Sequence, residues 1–459
     1  MDSLPTPSPA GGEIPVGAVA TTRARGREIF GWAMFDFANS SYTTVIITVV
    51  FSVVFPKIIV GDAPSYRLGN LLWSVALSVS YGLVVLTAPL LGAVMDFRAE
   101  KKRFLFASYT LTVIATSALY WATPGEVALG MALLIASNYG FAVGESFASA
   151  FLPELGPKEA LGRISGYAWG LGYIGGLLCT FLVVQILGPQ DLGNAARLRW
   201  VGPMTGGFFL LAALPTFAFL RERGAPRELP PGATLTGVGI ARVRETLRDL
   251  RQLRDLGWFF VGLFFAMAGL SIVISFAFIY GDQVIHWRPR SQLLMFVLTN
   301  LSAAGGAVLF GFVQDRFGNL RAYRLTLLVW TLAVIGIHET QALSRLLGGW
   351  LGPGWDAERV YLFVGTVAGL CLGATQSAGR TLVALFSPAS RSGEIFGFWG
   401  VTGKLSAIVG LLSLGLLQRA LGLERAILLC AAFFAAAWLL SLRVDEARGI
   451  AAARAADGP

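Results

Sequence analysis

Four ionisable residues stand where a bilayer would exclude them. Asp36, Glu145, Arg380 and Lys404 each lie inside a long apolar run. A charge near the centre of a membrane costs about 2.5–3.5 kcal/mol on insertion scales, so such a group faces a cavity or a partner. Arg380 or Lys404 could hold a carboxylate, while Asp36 or Glu145 could hold an amine or carry a coupling proton. Asn39 follows Asp36 on the same helical face, and Gln376 precedes Arg380 by one turn, so both add neutral polar contacts. Two acids close together in low dielectric raise each other's proton affinity, which suits a proton site. A structural reading competes: Glu145 and Arg380 form an ion pair that locks two parts of the chain in one conformation. Lys404 could also reach along its span to Asp36.

The elements that must position these groups are membrane helices. Of 459 residues, 55% are apolar and 14% charged, against roughly 25% charged in a soluble domain. Twelve apolar runs, the first at 31–55 and the last at 425–441, are long enough or nearly so to cross about 30 Å of hydrocarbon as helices. Alternation with period 2 is absent, which argues against a membrane barrel. The composition also argues against disorder, a coiled coil, a disulfide scaffold and a soluble enzyme. The expected fold is an all-α membrane protein with twelve transmembrane helices in two pseudo-symmetric six-helix bundles. The bundles cover 29–220 and 257–441, joined by a linker at 221–256. Residues 1–28 lack the basic start and immediate apolar run of a secretory signal and read as a disordered cytoplasmic tail; 442–459 form a second tail.

The net charge of +9 is a topology signal. Of the 36 Lys and Arg, 24 fall in the tails and loops of one side and 10 in the loops of the other. The positive side is cytoplasmic, so both termini are expected there, and no nucleic-acid partner is implied. Richness in Ala, Arg and Gly without an organelle address suggests a bacterial inner membrane.

The two halves repeat one another. Gly92-Ala-Val-Met-Asp96-Phe-Arg98, followed by Lys101, stands after span 2; Gly311-Phe-Val-Gln-Asp315-Arg316 stands after span 8. The shared pattern is G-x-x-x-D and then basic residues. Glycine permits close helix approach, and the Asp can accept hydrogen bonds from a neighbouring helix N-terminus. Spans 4 and 10 also match, placing Glu145 and Arg380 in equivalent positions with opposite charge. Spans 5 and 11 open alike, with Arg163 and Glu394 again opposite in sign. Asp96, Arg98, Lys101, Glu154, Arg163, Asp315, Arg316 and Glu394 are therefore expected to form a gate on the cytoplasmic side, with ordinary loop charge as the bland alternative for each. Parallel six-span repeats with substrate between them are a transporter plan.

Within the linker, Ile240, Val243, Leu247 and Leu250 recur at helical spacing, with Arg242, Arg244, Arg248, Arg251 and Arg254 on the polar side. Residues 240–256 read as an interfacial helix on anionic lipid, or as a solvated charged helix. Glycines 166, 170, 172, 175 and 176 of span 5 read as close packing. Cys179, Cys371 and Cys430 are odd in number and lie in apolar stretches, so neither a disulfide framework nor a zinc site is expected. No metal or cofactor is expected. Gly397 to Lys404 fails as a phosphate loop because its glycine spacing is one too long and Leu405 replaces Ser or Thr.

At these motifs the chain resembles the major facilitator superfamily. A closer likeness is to the vacuolar-effluxer-like family, related to the autophagy-associated amino-acid effluxers of fungal vacuoles. It is carried by GWAMFDFANSSY at 31–42, FLPELGPKEALGRISGYAWGLGYIGG at 151–176 and SGEIFGFWGVTGKLSAIVG at 392–410. The resemblance implies a secondary transporter, not an enzyme, whose central cavity is lined mainly by spans 1, 4, 7 and 10. It suggests efflux of an amino-acid-like solute by alternating access, with proton coupling as an option and a monomer as the working unit. A drug or metabolite exporter of the same fold is the first alternative, and a non-transporting receptor or scaffold the second. One departure weakens transfer of the substrate: where the family carries polar and acidic residues in span 7, this chain reads Ala266-Met267-Ala268-Gly269.

Overall fold

Twelve helices of the computed structural model are long and apolar enough to cross a membrane: Gly26–Val60, Leu68–Arg98, Lys101–Trp121, Val127–Glu154, Lys158–Leu187, Leu192–Phe219, Arg254–Ile285, Arg290–Phe317, Asn319–His338, Ala357–Phe386, Ala389–Leu421 and Leu423–Ser441. They are spans 1 to 12 in that order. The structure describes residues 24–61, 67–224, 226–227, 229, 232, 234–249, 253–352 and 354–457. Hydrocarbon offers no hydrogen bonds, so each crossing segment closes its backbone bonds within itself. The chain is an integral multi-pass membrane protein.

Spans 1–6 and spans 7–12 form two bundles. The bundles meet along two seams, span 2 against span 11 and span 5 against span 8. Both seams depend on glycine. A Cβ on Gly397 would lie 2.7 Å from the carbonyl oxygen of Ala88, and one on Gly92 would run into the backbone at Gly393. On the other seam a Cβ on Gly162 would meet Asp315 Oδ1 at 2.7 Å, and one on Gly166 would strike Ala307. These approaches all lie at the helix ends nearest the basic linker, here the basic face. Between the seams, toward the opposite face, a cavity is left.

Each bundle is clasped by the chain that follows its sixth span. Glu222 accepts hydrogen bonds from the first amides of span 3, Lys101 and Lys102. Glu446 does the same for span 9, from the amides of Asn319 at 3.2 Å and Leu320 at 2.9 Å. Next to these, Glu28 at the start of span 1 pairs with Arg223 at 2.7 Å and accepts from the Arg221 amide. Asp255 at the start of span 7 pairs with Arg448 at 2.7 Å and accepts from the Asp445 amide. Acidic groups at helix N-termini satisfy amides that have no intrahelical partner.

Two segments read as tails are thus structured in part. Span 1 begins at Gly26 with Glu28 buried, and Glu446–Ala456 is a helix packed on spans 7 and 10. Residues 1–23 of the expected disordered tail lie outside the described residues. The linker helix runs Leu235–Asp249, and Leu250 and Arg251 of the expected interfacial helix lie outside the described residues. Its orientation differs from expectation. Gly239, Arg242 and Thr246 are buried, with Gly239 against Leu90 and Val94 of span 2, so Arg242, expected on the polar side, faces the protein, while Ile240 of the apolar side is exposed. Arg242 turns inward because buried carboxylates await it, as described below.

Span 1 does not stay α-helical. It widens into π turns at Thr43–Val49 and Phe55–Val60, and the Val50 amide reaches back five residues to Val45 O at 3.0 Å. Each such turn fits an extra residue and re-aims the side chains around it. Span 7, its counterpart, has a π turn only at its end, Gly281–Ile285.

Candidate functional site: a cavity between the bundles

A cavity of about 370 Å³ lies between the halves. Span 1 lines it with Asp36, Asn39, Ser40, Thr43, Thr44 and Thr48, a polar strip that the first π turn carries toward the opposite face. Span 7 faces it with Val273, Ile274, Ala277 and Phe278, all apolar. A smaller chamber of about 210 Å³ continues toward the basic face and shares Tyr81, Glu145, Trp169, Gln376 and Lys404 with the first. Those residues form the waist between the two chambers.

At the waist the structure corrects one pairing. Arg380 does not pair with Glu145. Its Nη1 lies 2.6 Å from Asp36 Oδ2, so the ion pair that joins the halves at this level is Asp36–Arg380. Arg380 is almost fully buried, at 1% exposure. Its Nε and Nη2 donate to Ser165 Oγ and Ser165 O at 3.2 and 3.1 Å. The guanidinium carbon stands 4.8 Å from the Trp32 ring and 5.2 Å from the Trp169 ring. Burial of a charge requires this much compensation. Helix packing explains the choice. Span 5 presses on span 1 so tightly that a Cβ on Gly172 would touch Asp36 O at 3.3 Å, and its Ser165 brings Arg380 to the same place.

Glu145 and Lys404 are left facing the cavity. Neither makes an ion pair or a hydrogen bond among the described residues, though Glu145 is within electrostatic reach of Lys404, Asp36 and Arg380. Lys404 does not reach Asp36. Its Nζ stands 5.2 Å from the Tyr81 ring and 5.8 Å from the Phe141 ring. Gln376 accepts a hydrogen bond from the Tyr173 hydroxyl. Asn39 is buried and its Oδ1 has no partner among the described residues.

Beneath the chambers two charge clusters close the basic face. In the first, Lys101 Nζ lies 2.5 Å from Glu154, 2.7 Å from Ser392 Oγ, 3.3 Å from Ala150 O and 3.9 Å from Asp96. Asp96 Oδ2 accepts the Glu394 amide at 3.0 Å, at the N-terminus of span 11. Glu394 is fully buried, and Arg242 of the linker helix stands 3.9 Å from it and donates to Ser390 O at 3.2 Å. Burial pulls the Arg242 guanidinium below its ordinary pKa, with Asp96 and Glu394 opposing. In the second cluster Arg163 Nε lies 2.6 Å from Asp315, at the N-terminus of span 5. Arg98 and Arg316 stay outside both: Arg98 pairs with Glu100 at 3.1 Å, and Arg316 stands beside the Phe317 ring.

Sequence reasoning missed Trp32, Ser165, Tyr173, Ser392 and Arg242 as members of these clusters. The only advance signal was position: Trp32, Ser165, Tyr173 and Ser392 lie inside the repeated or family-like stretches.

Comparison with known proteins bears on the family and the fold. Residues 71–161 and 157–454 match the family model described as vacuole effluxer Atg22 like. The MFS-type transporter YxiO of Bacillus subtilis is 22% identical over 387 residues, covering 83% of this chain and 85% of that protein. Autophagy-related protein 22-1 of Penicillium rubens is 26% identical over 263 residues, 54% of this chain but only 43% of the fungal protein's length. Among solved structures, the fucose transporter FucP in the outward conformation superposes with a TM-score of 0.68 at 13% identity, covering 90% of this chain and 98% of that one. The proton:xylose symporter XylE gives 0.67 at 14% identity, covering 91% and 95%. At such identities these two speak for the fold alone: twelve helices in the major facilitator arrangement.

Proposed function

Because the chain belongs to the Atg22-like vacuole effluxer family and is a membrane transporter of the major facilitator fold, we propose that it moves a small zwitterionic, amino-acid-like solute by alternating access. The observation that carries this reading is the waist of the cavity, where Glu145 from one bundle and Lys404 from the other face the same space with no ion pair or hydrogen bond among the described residues. A carboxylate would meet Lys404 and an ammonium Glu145, so one solute would bridge both halves, as a rocking mechanism requires. Asn39 and Gln376 supply neutral polar contacts beside it. Asp36 and Arg380 neutralise each other and act as a tie between the bundles.

A coupling proton falls to Glu145. Asp36 is held by Arg380, whereas Glu145 faces the cavity with no ion pair or hydrogen bond among the described residues. The distribution of Lys and Arg supports cytoplasmic termini, which puts the closed face inside and the cavity toward the outside, the state an exporter reaches when it releases solute. A bacterial inner membrane, a working monomer and anionic lipid under the exposed Arg244 and Arg248 of the linker helix complete the reading. The apolar wall of span 7 favours a larger amphipathic metabolite as the second reading.

The test is counterflow in proteoliposomes against amino acids, peptides, sugars and drugs. Amino-acid counterflow that falls at least tenfold in both Glu145→Gln and Lys404→Met supports the assignment. Glu145→Gln should also lose any response to a pH gradient. Counterflow of a sugar or an uncharged drug, undiminished in both variants, would overturn it.

A further inference from the structure

A groove of about 1050 Å³, larger than the central cavity, opens on the outer surface at the seam of spans 1, 5 and 8, and its lining is almost wholly apolar. Its walls include Ile29 and Phe30 of span 1, Ile174 of span 5, and Leu301, Leu309 and Phe312 of span 8. Phe30 and Leu309 are about half exposed, at 49% and 53%. The floor is unfilled: a Cβ on Gly305 or Gly26, both lining the groove, would meet nothing within 4 Å. On span 8 the lining runs from Phe312 to Leu301, about 16 Å of helix at 1.5 Å per residue. That is close to half of a hydrocarbon core of about 30 Å, the depth of one leaflet.

The basic end of the groove is positively charged. Arg25 and Arg27 flank Gly26, and Arg316 stands one turn beyond Phe312; all three are exposed. None of them makes an ion pair among the described residues, while the nearby acids Glu28 and Asp315 are taken by Arg223 and Arg163. An apolar trench one leaflet deep, ending in unpaired arginines at headgroup level, has the form of an amphiphile with a long tail and an anionic head.

We infer that this groove is a binding site for one anionic phospholipid, with an acyl chain in the trench and the phosphate among Arg25, Arg27 and Arg316. The site is built from both bundles, spans 1 and 5 on one side and span 8 on the other. Tyr167, one turn after Arg163, lines it, so it adjoins the Arg163–Asp315 cluster. A lipid seated there keeps its contacts only while spans 5 and 8 stay apposed. A ligand that binds one state better shifts the population toward that state. Anionic lipid therefore favours the conformation closed on the basic face, and bilayer composition becomes an input to transport. This site is separate from the linker helix and does not depend on which solute is carried.

The test is native mass spectrometry of the full chain, delipidated and then titrated with palmitoyl-oleoyl phosphatidylglycerol or the matching phosphatidylcholine. The wild type should hold one phosphatidylglycerol with roughly tenfold preference, since basic residues at the surface attract anionic headgroups. Gly305→Leu fills open space and should lower retention about tenfold. Arg25→Gln, Arg27→Gln and Arg316→Gln together should bring the two lipids to parity, and as exposed changes they test the site even if Gly305→Leu folds poorly. Arg244→Gln with Arg248→Gln, on the linker helix, should leave the bound lipid in place. Unchanged retention and preference in the triple arginine variant, or loss of the lipid in the linker variant, would overturn the assignment.

Discussion

The two clusters on the basic face occupy equivalent places in the repeat yet are built differently. Asp96 and Asp315 each sit at the N-terminus of a helix from the other bundle, spans 11 and 5. Around Asp96 the charges are buried and numerous: Lys101, Glu154, Glu394 and, from the linker, Arg242. Around Asp315 there is one pair, and its Arg163 side chain is 43% exposed. The repeat explains part of the contrast, because Leu320 stands five residues after Asp315 where Lys101 stands five after Asp96. Breaking a buried pair strands a charge at a cost of about 3–5 kcal/mol, whereas an exposed pair contributes about 0–1 kcal/mol. By buried charge alone, the span 2–span 11 seam is the more heavily built of the two, and the span 5–span 8 seam rests on helix packing and one part-exposed pair.

That ranking can be broken in four steps. Lys101→Met should act most strongly, costing about 3–5 kcal/mol by leaving Glu154 and Asp96 without their cation; the thermal midpoint of the purified protein reads it. Asp96→Asn keeps an acceptor for the Glu394 amide but loses the charge that the helix end favours, so about 1–2 kcal/mol is expected. Its measure is faster thiol labelling of Ser146→Cys, which packs under Gly400, by a reagent added on the basic face. This assay is clean because Cys179, Cys371 and Cys430 are all buried. Arg242→Ala removes one hydrogen bond and a distant pair, for about 1 kcal/mol, and should raise the same labelling modestly. Arg163→Ala should do least, below about 1 kcal/mol after allowance for its exposure. An Arg163→Ala effect as large as that of Lys101→Met would erase the distinction between the seams.

The spans, their number and the paired G-x-x-x-D motifs were legible in the sequence because each is a matter of counting along the chain. A run of about 20 apolar residues needs no knowledge of its neighbours. The partner of Arg380 was not legible. Asp36 and Glu145 have the same charge at similar depth, and the choice rests on how spans 1, 5 and 10 are rotated, which Ser165 and Gly172 reveal only in three dimensions. The place of Arg242 was hidden for a related reason. Its spacing put it on the polar side of the linker helix, but the buried Glu394 carboxylate draws it in. The clasps were invisible because Glu222 and Glu446 lie outside the spans and the repeated motifs, with no periodicity to mark them.

The clasps bear on how such a chain could be assembled and how it can be taken apart. Each begins directly after the sixth helix of its own bundle, so neither bundle borrows an end from the other. A six-helix unit that carries its own closure can be copied and joined in tandem without leaving a raw edge at the junction. The same economy makes the chain divisible: two polypeptides separated near Gly232, each with its closure intact, should meet again in the membrane as one transporter.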